Sequence, residues 1–144
     1  MKALIQRVTS SSVEVDGTNV GQINKGLLVF IGIEKLDELS HADKMINKIL
    51  SYRVFSDAND KMNLSVIDIN SDVLLVPQFT LVADTKNGTR AGFSTAMKPI
   101  EAENIYDYMV EKLKTYLNTQ SGVFGADMKV SLVNDGPVTF LLEC

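Results

Sequence analysis

The sequence predicts an α+β fold: one strand-rich domain with two helices on one face of its sheet and another subunit covering the rest. Three observations predict it. Residues 26–33 (GLLVFIGI) and 72–84 (DVLLVPQFTLVAD) are almost continuously apolar, as strands buried on both faces are. Only two stretches place apolar residues at helical spacing. Two helices cover one face of so wide a sheet, so the other face requires a second subunit.

Taken in order, residues 3–8 (ALIQRV) and 12–23 (SVEVDGTNVGQI) read as the opening strands. The second folds back at Asp16-Gly17, a hairpin-turn dipeptide. After the apolar run at 26–33, Ser40 is placed to cap a helix in which Met45, Ile46, Ile49 and Leu50 share a face and which ends near Tyr52. Short strand and turn segments follow at 52–57 and 62–69, on either side of a turn near Asp57 to Asp60. Pro99 suits the first turn of a second helix, with Ile105, Met109, Leu113, Tyr116 and Leu117 on one face and Ser121-Gly122 as its stop. Residues 128–133 and 138–143 return to strand around Asn134-Asp135-Gly136-Pro137.

With 144 residues, 45% of them hydrophobic, the chain suits a single domain spanning 1–144 with one core. The first residues lack the apolar centre of a signal peptide and no run reaches membrane-spanning length, so cytoplasmic residence and no membrane contact are expected. One cysteine, Cys144, excludes an internal disulfide and a cysteine-based zinc cluster. A net charge of −4 argues against broad nucleic-acid binding. The exception is residues 85–100, where Lys86, Arg90 and Lys98 occur without an acidic residue; this stretch reads either as a solvated loop or as a receiver of phosphate.

The only histidine, His41, falls in the first turn of a helix and reads as structural. There is no metal-binding motif, phosphate loop or dinucleotide fingerprint, and neither metal nor cofactor is expected. An enzyme built on this chain therefore works with hydroxyls, amides and backbone groups. Those occur in VPQFTLV, where strand alternation puts Gln78 and Thr80 on one face of a buried segment. Two readings stand. The hydroxyl satisfies nearby backbone, or Pro77, lacking an N–H, frees neighbouring amides to turn toward a ligand. Free N–H groups beside a hydroxyl suit ester hydrolysis, because they hold the oxyanion formed when an acyl carbon is attacked. Gly136-Pro137 is likewise open to two readings, as a chain reversal or as a rigid unit presenting two carbonyls to a ligand.

PQFTL at residues 77–81 resembles the Ser-Gln-Phe-Thr-Leu motif of the D-aminoacyl-tRNA deacylases, also called D-tyrosyl-tRNA deacylases. NDGPVT at 134–139 resembles their Asn-X-Gly-Pro-X-Thr motif, and the likeness extends through ALIQRV, GLLVFIGIE, YRVFSD, KMNLSV, ADTKNGTR and FGADMKVSLVNDGPVTF. The resemblance implies hydrolysis of the ester joining a D-amino acid, or mischarged glycine, to the terminal adenosine of tRNA. It also implies a metal-free homodimer with sheets packed barrel-like across it. In that dimer a cis Gly136-Pro137 reaches into the partner's pocket and excludes L side chains, a selectivity by rejection.

Carried over by motif, Gln78, Phe79 and Thr80 would be catalytic through their backbone N–H groups. Arg7 would brace the Gly-Pro loop, Met128 would pack beneath it, and Asn134, Gly136 and Pro137 would complete the substrate contacts. The segment 86–93 would lie near the RNA end. An unassisted Thr is a poor nucleophile, so water assisted by the substrate 2′-hydroxyl is preferred to attack by Thr80. Pro77 departs from the family's usual Ser, and Ala91-Gly92 from its usual Pro-Ser, which loosens that loop. An enzyme that grips only an acceptor end needs few phosphate contacts, consistent with the acidic chain. The contrasting readings are a non-catalytic acidic dimeric binding module and a general small-ester esterase.

Overall fold

The computed structural model describes residues 1–144. Its organising element is β1 (Lys2–Val15). Residues 3–8 and the first arm of the folded segment 12–23, expected as separate strands, form this single strand. At Thr9 the pairing steps from Val8 opposite Asn134 to Ser10 opposite Val133, so Thr9 is an extra, bulged residue rather than a break.

One edge of β1 pairs along its length with β8 (Lys129–Glu143). The other edge is shared. Residues 2–8 pair with β3 (Gly26–Gly32), and residues 11–15 with β2 (Thr18–Ile23), all antiparallel. Asp16 and Gly17 take φ of 49° and 78°, the left-handed pair that the β1–β2 hairpin needs. β6 (Asp72–Pro77) lies parallel to β3, and β7 (Thr119–Ser121) parallel to β6. β2 then curls over β6 and β7: a Cβ on Gly21 would meet Ser121 O at 3.0 Å. The sheet is therefore a nearly closed barrel. β4 (Phe55–Ser56) and β5 (Met62–Leu64) form a small separate ribbon.

α1 (Leu39–Ser51) and α2 (Pro99–Lys114) cover one face of the sheet. The cap of α1 is Glu38 and not Ser40, which lies inside the first turn; the Glu38 N–H donates to His41 Nδ1 at 3.0 Å, giving the lone histidine its structural role. α2 stops at Lys114, short of the expected Ser121-Gly122. The intervening chain is captured by the open edge of β6, where Val73 N–H donates to Asn118 O, and β7 forms instead.

The apolar runs lack alternation because both faces are filled. Leu27, Val29 and Ile31 of β3 pack beneath the helices with Met45, Ile49 and Met109. Leu28, with Leu74 and Val76 of β6 and with Val8, Val13 and Ile23, fills the inside of the barrel.

Candidate active site

β6 ends at Pro77, and Phe79–Val82 is a 3-10 turn. The strand expected to run through VPQFTLV therefore stops, and Gln78 and Thr80 do not meet by alternation. Pro77 supplies the reason, since it cannot continue a ladder. The Gln78 N–H still donates to Ile31 O at 2.8 Å, and the turn then rests on the end of β3. Gly32 makes that approach possible: a Cβ there would meet Val82 Cγ1 at 2.9 Å and Leu81 Cβ at 3.0 Å.

The turn determines what is presented. Gln78 Nε2 donates to Thr80 Oγ1 across it. Thr80 is exposed, not buried as a strand position would have been. Leu81 and Ala83 N–H groups are taken by Gln78 O and Thr80 O, both at 3.2 Å, whereas the N–H groups of Phe79 and Thr80, the first of the turn, have no carbonyl within the turn to donate to. This is the ordinary state of the first amides of a helical turn, which face outward. Two neighbouring backbone donors and a hydroxyl thus belong to one exposed point of the chain.

That point lies at the rim of an apolar cavity of about 430 Å³, walled by Pro77, Gln78, Phe79, Phe124 and Met128 with Met97 and Ala102 from the α2 side. No charged side chain lines it. Its rear wall is held by Tyr106 of α2, a residue sequence reasoning passed over because it sits on the helix's apolar face. The buried Tyr106 hydroxyl lies 2.9 Å from Leu75 O and 3.1 Å from Gly122 O, and its ring meets Phe124 at 5.9 Å. Burial pushes its pKa upward, so it stays a neutral donor. Gly122 in turn leaves room for Met128, whose sulfur would lie 2.8 Å from a Cβ there.

The second group of expected residues is assembled elsewhere. On β8, Gln6 pairs with Thr139 and Val8 with Asn134, so residues 135–138 bulge out opposite Arg7 alone. The Gly136–Pro137 peptide in this excursion is cis and Gly136 has φ 126°. Asn134 closes its neck: Nδ2 donates to Arg7 O and Val138 O, each at 3.1 Å, while Oδ1 accepts from Thr139 Oγ1 at 3.1 Å. Arg7 Nη1 donates to Val54 O at 2.7 Å and Nε to Asp135 O at 3.1 Å. Gly136 and Pro137 both stand exposed at the end of this frame.

Within one chain these are two sites. Gln78, Phe79 and Met128 line the cavity with Thr80 beside them, whereas Arg7, Asn134, Gly136 and Pro137 do not line it. No three His, Cys, Asp or Glu side chains come together as a group.

An uncharged apolar cavity with the first amides of a helical turn at its rim suits a carbonyl-bearing ligand with a flat or apolar portion. Residues 4–143 match the D-Tyr-tRNA(Tyr) deacylase family. The chain is 56% identical to the D-aminoacyl-tRNA deacylase of Vibrio cholerae serotype O1 and 54% identical to that of Aliivibrio fischeri strain MJ11, over 99% of each pair. Among solved structures, the c-Myc DNA Unwinding Element Binding Protein superposes with TM-score 0.95 at 41% identity, covering 100% of this chain and 99% of that one. A probable eukaryotic D-amino acid tRNA deacylase shares the fold, with TM-score 0.87 at 15% identity over 98% and 97%. This chain belongs to the D-Tyr-tRNA(Tyr) deacylase family.

Proposed function

We propose that the protein hydrolyses the ester of D-aminoacyl-tRNA, and of glycine mischarged on tRNA, releasing free tRNA and the amino acid. The observation that carries the proposal is the exposed turn at Phe79 and Thr80, whose first N–H groups have no partner within the turn, at the rim of an uncharged cavity. The cavity suits the terminal adenine, a flat ring with an apolar face and polar edge, and the rim then receives the ester carbonyl.

The chain's own part in the reaction is to hold and polarise. Water adds to the acyl carbon, and the carbonyl oxygen, becoming an oxyanion, is met by the Phe79 and Thr80 amides, each worth about 3 kcal/mol in such a role. The ester oxygen leaves as the ribose hydroxyl. The proton lost by water passes through the neighbouring 2′-hydroxyl to that oxygen, so no protein base is required. Thr80 Oγ1 already accepts from Gln78 Nε2 and has no carboxylate or imidazole beside it, which favours a positioning role over a nucleophilic one.

Discrimination is assigned to Gly136 and Pro137 of a second copy. They lie away from the cavity of their own chain, and Val133 and Leu141 of β8 stand 56% and 51% exposed on the same strand, an apolar edge suited to a homodimer. Docked there, the loop would set its carbonyls against the α-carbon, admitting hydrogen and refusing an L side chain.

The test is deacylation of D-Tyr-tRNA, L-Tyr-tRNA and Gly-tRNA in chelator, with a D-Tyr-tRNA lacking the terminal 2′-hydroxyl. Cleavage of the D and glycyl esters only, lost without that hydroxyl, is the expected result. A second reading is binding of nucleic acid without catalysis, which the description of the 41% identical neighbour favours. Tight retention of DNA with no cleavage of any ester would establish it.

A further inference from the structure

Phe79 and Phe93 are 58% and 47% exposed, yet they lie in contact, ring centroids 5.1 Å apart and planes inclined at 51°. Two large aromatic rings left in water side by side are unusual on a chain with so few aromatics, and neither is needed to close the core. Their placement is held from below. Asp84 and Gly92 exchange backbone hydrogen bonds of 2.8 and 2.9 Å, closing the neck of the loop, and Thr95 Oγ1 donates to Val82 O. Phe79 is also part of the cavity wall, whereas Phe93 is not, so the pair leads from the cavity outward.

The same loop carries a local excess of positive charge. Lys86, Arg90 and Lys98 are all exposed, no acidic residue lies between 85 and 98, and none of the three is held in an ion pair. Aromatic faces flanked by unpaired cations are what single-stranded nucleic acid requires, a stacking surface for a base and counter-charges for its phosphates.

We infer that Phe93 is a stacking platform for the base immediately 5′ to the terminal adenosine of the RNA, with the loop cations on the adjoining phosphates. This rests on the deacylase reading, which places the terminal adenosine in the cavity beside Phe79. It adds a second nucleotide subsite that grips the RNA and not the ester.

Three substrates separate the possibilities: D-Tyr-tRNA, D-tyrosyl-adenosine, and D-Tyr-tRNA made abasic at the nucleotide before the terminal adenosine. Phe93→Ala should raise KM for the tRNA by roughly tenfold or more, the worth of one stacked base, with kcat little changed. It should leave cleavage of D-tyrosyl-adenosine within about twofold of wild type, and Phe93→Trp should restore the tRNA KM. The abasic tRNA should already be impaired with wild-type protein and show no further loss with Phe93→Ala, the signature of one shared interaction. Equal losses on tRNA and nucleoside would reduce Phe93 to a prop for Phe79 and overturn the inference. So would an abasic tRNA that behaves like the intact one. If wild-type protein cleaves no D-ester at all, the deacylase reading fails by itself. The subsite is then judged by binding of short single-stranded RNA ends, where a Kd equal for wild type and Phe93→Ala rejects it.

Discussion

Arg7 lies so close against Gly136 that a Cβ on the glycine would come within 3.0 Å of Arg7 Nη2, and within 2.8 Å of Val138 Cγ2. With φ at 126°, Gly136 also holds a backbone conformation that side chains resist. The Gly-Pro excursion is thus built around an arginine on one side and the absence of a side chain on the other.

Gly136→Ala should therefore cost about 1–3 kcal/mol of stability, the usual range for a forced backbone outlier. It should also displace the loop that the proposed function uses to reject L-esters. Thermal unfolding and the ratio of D-Tyr-tRNA to L-Tyr-tRNA cleavage read the two effects separately; an unmoved ratio in a destabilised variant would confine Gly136 to folding.

Arg7→Lys keeps the charge but not the planar fork that reaches the Val54 and Asp135 carbonyls together. Its side chain is only 14% exposed, so one carbonyl is left without its donor. A loss of about 1–3 kcal/mol is expected, measured by urea denaturation. Near-wild-type stability would mean that water replaces the fork.

Thr80→Val removes the hydroxyl that Gln78 grips and leaves the Phe79 and Thr80 amides in place. If the 2′-hydroxyl of the RNA carries the proton, kcat should fall by only about tenfold, the worth of one lost hydrogen bond. A fall beyond roughly 10⁴-fold in single-turnover deacylation would return Thr80 to the role of nucleophile.

Binding of tRNA should be weak and dependent on salt. With three unpaired cations in the loop 85–98, log KM against log salt should rise with a slope of about 2, the release expected from three single-strand phosphate contacts. KM unchanged between low and high salt would remove the loop from the RNA path.

Tyr106 gives the pH dependence. Burial raises its pKa above the ordinary 10.0, so the folded protein keeps a proton that the unfolded chain releases. Its contribution is complete below pH 10 and is lost as pH rises through the higher folded value. Tyr106→Phe should cost about 1 kcal/mol at neutral pH and flatten the alkaline fall in melting temperature. Ultraviolet titration should find one fewer late-ionising phenol; the same alkaline profile in both proteins would assign that fall elsewhere.

The elements with strong periodicity were legible: both helices, the run at β3, and the hairpin at Asp16-Gly17. The misreadings share a cause, in that local pattern does not report which partner strand is waiting. Ser40 looked like a cap, but Glu38 lies where His41 can answer its N–H. Residues 119–121 read as the end of a helix, yet β6 offers an open edge there. The site was legible as residues and not as geometry. Gln78 and Thr80 were picked out, but as neighbours on a strand, whereas Pro77 ends the strand and the turn after it frees the amides. Tyr106 has no place in that reading because an aromatic residue on a helix face carries no local mark of its neighbours.

The pairing of β1 with β8 joins residues 2–14 to residues 129–143, the widest separation in the molecule. Closing so long a loop is entropically unfavourable until the strands between are in place. The Gly-Pro excursion is therefore among the last features to form, and a ribosome-bound chain that has released only its first hundred residues carries the amides of Phe79 and Thr80 without the loop assigned to supervise them. In the proposed function, control of handedness would then depend on the union of the two most distant strands, and not on the turn that carries the amides.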